Sequence, residues 1–213
     1  MAFMKNSGDT ADDSSNMQTP TRLAIFASGA GSNAKKIVGY FEGHPFISVS
    51  LVASNRQDAG VLDMASLHGI PCLLLEKEKF FRGDGYLEEL RRHRIDLIVL
   101  AGFLWKIPAH LIRSYPSRIV NIHPALLPKY GGRGMYGHFV HDAVIAAGEK
   151  QSGITIHVVD EQYDHGEHLL QVACPVMEND TTETLYQRIQ ELEHKHFPET
   201  IESYIRNLAR DKQ

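Results

Sequence analysis

The chain of 213 residues has little of what commits a sequence to a specialised scaffold. Cysteine is scarce, with only two, Cys72 and Cys174. Both sit in apolar runs, Pro71-Cys72-Leu73-Leu74-Leu75 and Val172-Ala173-Cys174-Pro175-Val176, which predicts reduced core residues and not a disulfide framework. No apolar run approaches the ~18 residues that a membrane span needs, so no membrane partner is expected. An excess of positive charge is also missing. Lys and Arg total 22 against 26 Asp and Glu, a net charge of −4, which argues against nucleic acid as a partner. The 12 histidines invite a metal reading. The close pairs His138–His141, His165–His168 and His194–His196 nevertheless lack a nearby Cys pair or a His-Glu-x-x-His signature, so no metal is expected. What is present is ordinary globular composition, 43% hydrophobic and 23% charged, in a length suited to one core.

Positions 1–20 are rich in Ser, Asp, Asn and Thr and poor in large apolar side chains, so they are expected to be a disordered tail. They carry no basic start followed by an apolar stretch, so they do not read as a secretory signal. A single domain is expected over 21–213. Within it, apolar runs alternate with segments of helical spacing. Strands are predicted at Arg22–Ala27, Phe46–Ser54, Ile70–Leu75, Ile95–Ala101 and Arg118–Ile122. Two more, at Gly153–Val159 and His168–Val176, are joined by a loop at Asp160–Gly166. Helices are predicted after Ser32 or Asn33 as cap, at Asp58–His68, Tyr86–Arg94 and His138–Ala147, and from Thr182 onward with an interruption at Pro198. The Glu76–Lys79 charge run reads as a solvated face. This alternation predicts an α/β fold, a Rossmann-like, open, mostly parallel twisted sheet with helices on both faces.

Two places carry chemistry. Ser28-Gly29-Ala30-Gly31-Ser32-Asn33 follows a strand and opens a helix. Glycines there let the backbone approach a ligand, and the free amides of the helix start suit an anion such as phosphate. The second strand ends Ser54-Asn55-Arg56 without the carboxylate a dinucleotide ribose needs, which argues against NAD and leaves NADP, through Arg56, as a minor alternative. The second place is Asn121-Ile122-His123-Pro124. Residues two apart on a strand project to one face, so Asn121 and His123 point together from the carboxyl end of a parallel strand. An amide donor beside an imidazole suits stabilisation of an oxyanion and movement of a proton. Asp164, in the following loop, would raise the pKa of His123 and hold its ring if the two meet.

Four motifs occur in order: Ser28-Gly29-x-Gly31-Ser32-Asn33, Leu100-Ala101-Gly102-Phe103, Asn121-Ile122-His123-Pro124-x-Leu126-Leu127-Pro128-Lys129-Tyr130 and Asp164-x-Gly166. In these the chain resembles the folate-dependent formyltransferase family, and within it the phosphoribosylglycinamide formyltransferases of purine biosynthesis. The resemblance runs from Arg22 to Leu208. It implies a cytoplasmic enzyme that takes 10-formyltetrahydrofolate and glycinamide ribonucleotide as substrates. It implies Asn121, His123 and Asp164 as the catalytic trio, and Gly31, Ser32 and Asn33 as the phosphate site. Gln190 and Glu193 would lie near the ribose. Leu104, Trp105, Lys106 and Ile107, with Asn121, would meet the folate. The charged residues His165, Glu167 and His168 after Asp164 are expected to retune His123, and Gly131–Gly137 is expected to be a mobile flap. A formyltetrahydrofolate hydrolase, a related tRNA formyltransferase and a non-enzymatic nucleotide-binding module are the alternative readings.

Overall fold

The computed structural model describes residues 20–210. The expected tail therefore falls almost wholly outside the described residues. Seven strands form one sheet in the order β3-β2-β1-β4-β5-β6-β7. They are β1 (Thr21–Phe26), β2 (Ile47–Ser54), β3 (Cys72–Leu74), β4 (Leu97–Leu100), β5 (Ile119–His123), β6 (Gln151–Val158) and β7 (His168–Pro175). The first five are mutually parallel, while β6 pairs antiparallel with both β5 and β7. β1 sits between β2 and β4, so the chain fills one side of the sheet and then crosses to the other. The loops after β1 and β4 diverge at that crossing, where open α/β sheets form a ligand crevice.

The central strands alternate between two cores, because successive side chains leave opposite faces of a strand. Leu23 and Ile25 of β1, Leu97 and Val99 of β4, and Val120 and Ile122 of β5 enter one core. Helices α1 (Ser32–Phe41), α2 (Gly60–Leu67), α6 (His138–Ala146) and α7 (Thr182–Arg210) cover it with Ile37, Val61, Val144, Ile189 and Phe197. Ala24, Phe26, Ile98, Leu100 and Ile119 enter the other, under α3 (Lys77–Phe81), α4 (Leu87–Arg92) and α5 (Ala109–Ser114). Burying each large aliphatic or aromatic chain contributes about 1.5–3 kcal/mol. Asn121 and His123 share the strand face of Ile119, but lie past it at the carboxyl end of β5.

Several expectations need correcting. The helix after the glycine loop is not capped by a side chain of Ser32 or Asn33. Gly31 stands at the cap with φ 78°, and no side-chain cap bond forms. Cys72 is exposed, because β3 is the short edge strand, whereas Cys174 is buried and both thiols are free. The Glu76–Lys79 run, by contrast, is exposed throughout as expected, and its last three residues open α3, a five-residue helix that buries Phe80. Helix α7 is not interrupted at Pro198 but continues through it for 29 residues. Proline removes one helical donor, yet Pro198 lies buried beside Phe197 and Ile201, and that packing carries the helix across the missing bond. Among the described residues no helix is long and apolar enough to cross a membrane.

Candidate active site

A cavity of ≈ 710 Å³ opens at the carboxyl ends of β1, β4 and β5, within the size range of small-molecule sites. It is lined by every residue expected at the site: Gly31, Ser32, Asn33, Leu104, Trp105, Lys106, Ile107, Asn121, His123, Asp164, Gln190 and Glu193. The sheet and α7 thus bring the two sequence-distant groups to one space.

At one end, the chain leaves β1 and turns into α1 through Gly31. A Cβ on Gly31 would sit 2.7 Å from Cβ of Val61, and the left-handed φ adds strain for any other residue. The first amides of α1 have no intrahelical partner and carry the positive end of the helix dipole, a cradle for an anion. The Ser32 and Asn33 side chains, free of capping, turn to α7. Asn33 Nδ2 donates to Glu193 Oε2 at 2.8 Å, and Gln190 Nε2 donates to Ser32 Oγ at 3.3 Å. Gln190 also donates to the Tyr186 hydroxyl at 2.7 Å. Glu193 is partly open to the cavity, yet burial of its carboxyl pushes the pKa up to about 7, and the Asn33 amide only partly offsets this. Arg56, at the rim, is engaged by Asp58, with Nη2 2.9 Å from Oδ2.

At the other end stand the imidazoles. His123 is 4% exposed. Its Nε2 lies 2.7 Å from the carbonyl oxygen of Tyr130, which can only accept, so Nε2 carries a proton. Nδ1 faces Asp164 Oδ1 at 3.7 Å, a charge contact longer than a hydrogen bond. Asp164 adopts a left-handed conformation with φ 50°, tolerated by Asp, and its Oδ2 accepts the Gly132 N–H at 2.8 Å. Thr155 fixes the intervening turn by donating to Ala125 O at 2.7 Å and accepting from Leu127 N at 3.0 Å.

Burial lowers the His123 pKa below its ordinary value; Asp164 and the Tyr130 carbonyl oppose this and His157 adds to it. The expected upward pull of Asp164 is therefore present but outweighed, and the resting ring is neutral at pH 7. His165, Glu167 and His168 are not among the groups that shift it. His165 instead pairs with Asp160, Nδ1 to Oδ2 at 2.6 Å. Burial pushes the Asp164 carboxyl up, but His157, His123 and the Gly132 amide together hold it below the usual carboxylate range.

His157 escaped the sequence reading. It lies opposite Asn121 across the β5–β6 ladder, and Asn121 Nδ2 donates to its Nε2 at 3.1 Å. Nδ1 of His157 is 3.0 Å from the Val158 carbonyl, so that nitrogen bears the proton and Nε2 is left to accept. This fixes the direction of the Asn121 amide. The signal was available in β6, where Thr155 and His157 share a face in a strand that must pair with β5. The Tyr130 carbonyl left no signal, since a backbone acceptor has no residue type.

The segment after β4 forms the apolar wall. Ser28 Oγ accepts the Leu104 N–H at 2.9 Å and donates to Asn55 Oδ1 at 2.6 Å, tying that segment to the ends of β1 and β2. Ile107 is buried, Leu104 is 48% exposed, and Trp105 packs against Phe80, Phe81 and Phe103. Lys106 Nζ lies 5.1 Å from the Tyr163 ring centroid, across from the 160–166 loop. Among the described residues no group of three His, Cys, Asp or Glu is placed to hold a metal ion.

Residues 21–201 match the family model described as "Formyl transferase". The chain is 43% identical over 196 residues to the chloroplastic phosphoribosylglycinamide formyltransferase of Arabidopsis thaliana, covering 89% of this chain and 67% of that protein. It is 36% identical over 189 residues to the phosphoribosylglycinamide formyltransferase of Bacillus subtilis (strain 168), covering 86% of this chain and 94% of that one. The crystal structure of the phosphoribosylglycinamide formyltransferase from Brucella melitensis matches with a TM-score of 0.78 at 34% identity, over 87% of this chain and 96% of the other.

Proposed function

The chain belongs to the formyl transferase family, among the phosphoribosylglycinamide formyltransferases, and we propose that it moves the formyl group of 10-formyltetrahydrofolate to the amine of glycinamide ribonucleotide. The observation that carries this reading is the one cavity shared by an anion cradle at Gly31–Asn33 and the Asn121–His123–Asp164 group. A nucleotide phosphate on the cradle, with its ribose hydroxyls toward Glu193 and Gln190, extends the substrate's amine toward the imidazoles. The apolar wall at Leu104–Ile107 receives the folate ring.

The amine nitrogen forms a bond to the formyl carbon, and the carbonyl electron pair moves onto oxygen. Asn121, held by His157, donates to that oxygen through its amide. His123 contributes through Nδ1, the nitrogen not committed to Tyr130. It is neutral at rest, but negative charge growing beside it adds to that of Asp164 and favours uptake, through water, of the proton released by the attacking amine; Nδ1 then donates to the oxygen until collapse, when that proton passes on to the folate nitrogen. Collapse restores the carbonyl and breaks the bond to the folate nitrogen, which ends with the proton released by the amine. The products are the formylated ribonucleotide and tetrahydrofolate, so atoms and charge balance.

We also propose one catalytic domain from residue 21 onward and the cytoplasm as the compartment; the chloroplastic name of the Arabidopsis relative is the competing location. The test of function is formyl transfer followed by folate absorbance, with and without glycinamide ribonucleotide. Amine-dependent turnover is the expected result. Formate release without the amine would move the assignment to a hydrolase, and ribonucleotide binding without turnover would leave a binding module.

A further inference from the structure

His141 is a buried polar group that the mechanism above does not use. It lies on α6, lines the same cavity and is only 1% exposed. Its Nδ1 is fully buried with no hydrogen-bond partner. Its ring stands 5.7 Å from that of Tyr186. Tyr186 is bonded through Gln190 to Ser32 of the anion cradle, and His123 is also near enough to bear on the titration of His141. His141 therefore has a neighbour tied to the phosphate end and another at the reacting end.

Burial pushes its pKa down to about 4, so the ring is neutral at any pH near 7. A neutral imidazole has one N–H and one bare nitrogen. Stranding a buried N–H is rarer in folded proteins than under-using a buried acceptor. The favoured tautomer thus leaves Nδ1 bare and puts the proton on Nε2, the nitrogen through which the ring meets the cavity. Nδ1 stays a buried, unused acceptor, and the Nε2–H, which bonds to no protein group, is free to donate to an acceptor on a ligand in the cavity.

We propose that His141 is a substrate-positioning residue whose neutral imidazole donates a hydrogen bond to the carbonyl oxygen of the arm linking ribose and amine, selecting ligands that carry such an acyl arm. This rests on the function proposed above, because the arm is that of glycinamide ribonucleotide. The donor aims the amine by holding the atoms next to it, and a neutral donor suits a neutral amide oxygen.

The test is calorimetric binding without folate, using two probes, glycinamide ribonucleotide and ribose 5-phosphate, which lacks the arm. Wild type should bind both, the first more tightly. His141→Phe keeps a flat ring and loses the donor. It should weaken glycinamide ribonucleotide about 10-fold, the scale of one neutral hydrogen bond, and leave ribose 5-phosphate unchanged. His141→Gln, which keeps an N–H, should restore part of the difference and serves if the Phe variant does not fold. Equal affinities of wild type and His141→Phe for both probes would overturn the proposal, as would equal weakening of both or the absence of any rescue by Gln. Failure of wild type to bind glycinamide ribonucleotide would instead refute the assigned substrate.

Discussion

Replacing Asp164 by Asn removes one negative charge and little else. Asn tolerates the left-handed backbone at this position, and its side-chain oxygen can still accept the Gly132 N–H. What is lost is a carboxylate 3.7 Å from His123 Nδ1, between side chains that are 5% and 12% exposed. At an effective dielectric of ~20, two unit charges at that distance attract by about 4 kcal/mol. That is a ceiling, since Asp164 also lies 3.7 Å from His157 Nε2 and keeps some hydration. Taking about half of it gives a loss of ~10- to 100-fold in turnover at pH 7.5 if the imidazolium forms in the transition state. The sign for His123 is fixed as well. Burial already lowers its pKa and Asp164 opposes that, so Asp164→Asn must lower it further. Proton NMR titration of the His123 ring reads the direction, and steady-state transfer with both substrates saturating reads the loss. An upward shift of the titration, or unchanged turnover with an intact fold, would refute the coupling.

Asn121→Ala removes the proposed oxyanion donor and should lower kcat by about 10²–10³ with the melting temperature nearly preserved, since losses of this kind are typical of such groups; wild-type kcat would remove Asn121 from the chemistry. Gly31→Ala places a methyl 2.7 Å from Val61 in a left-handed backbone. A cost of about 1–3 kcal/mol and a raised KM for the ribonucleotide are expected, and calorimetry plus kinetics check both. Asp180 accepts two bonds from Arg188, at 2.6 and 2.9 Å, and one each from Met177 N and Thr184 Oγ1. Its carboxyl is held far below the usual range, with the Arg188 bond the largest cause. Asp180→Asn should cost about 2 kcal/mol, or roughly 4–8 °C in Tm. A lowered pKa stabilises above the unfolded value of ~3.9 and fades as pH falls, so the gap between the two proteins should close in acid.

The alternation of Leu23 and Ile25 against Ala24 and Phe26 is visible in the bare sequence because it depends only on strand period, and the same holds for Asn121 and His123. Capping was misread because Ser32 and Asn33 have partners 158 and 160 residues away. No local rule can see a competition that α7 wins. Cys72 looked like core because its neighbours are apolar, yet exposure depends on whether β3 is the edge strand, which only the topology decides. Pro198 looked like a break because its local cost is real, while the burial that outweighs it is tertiary. The hydrogen-bond partners of the proposed catalytic side chains were the least legible. His157 is brought to Asn121 by an antiparallel register, and the Tyr130 carbonyl by a turn that Thr155 bonds from a different strand.

The two ends of the cavity share one property: both hold polar groups that the protein alone leaves poorly compensated. His123 is buried with a bare nitrogen toward a carboxylate, His141 Nδ1 and Asn33 Oδ1 have no partner, and Glu193 is desolvated to a pKa of about 7. For Glu193 this has a thermodynamic sign. Its folded pKa lies above the unfolded carboxylate value, so the folded state binds the proton more tightly. Ionisation therefore removes stability as pH rises from about 4.5 to 7, by about 3 kcal/mol at most, less for the partial opening to water. Glu193→Gln keeps an acceptor oxygen and cannot ionise. It should raise Tm at pH 8 and make no difference at pH 4, while weakening ribonucleotide binding because a neutral amide accepts from ribose hydroxyls less strongly than a carboxylate. A variant no more stable than wild type at pH 8 would show that the carboxylate is solvated in the unliganded protein. A variant both more stable and weaker in binding would show that this end of the site holds its acceptor ready at the expense of the fold, and that the ligand's hydroxyls complete it.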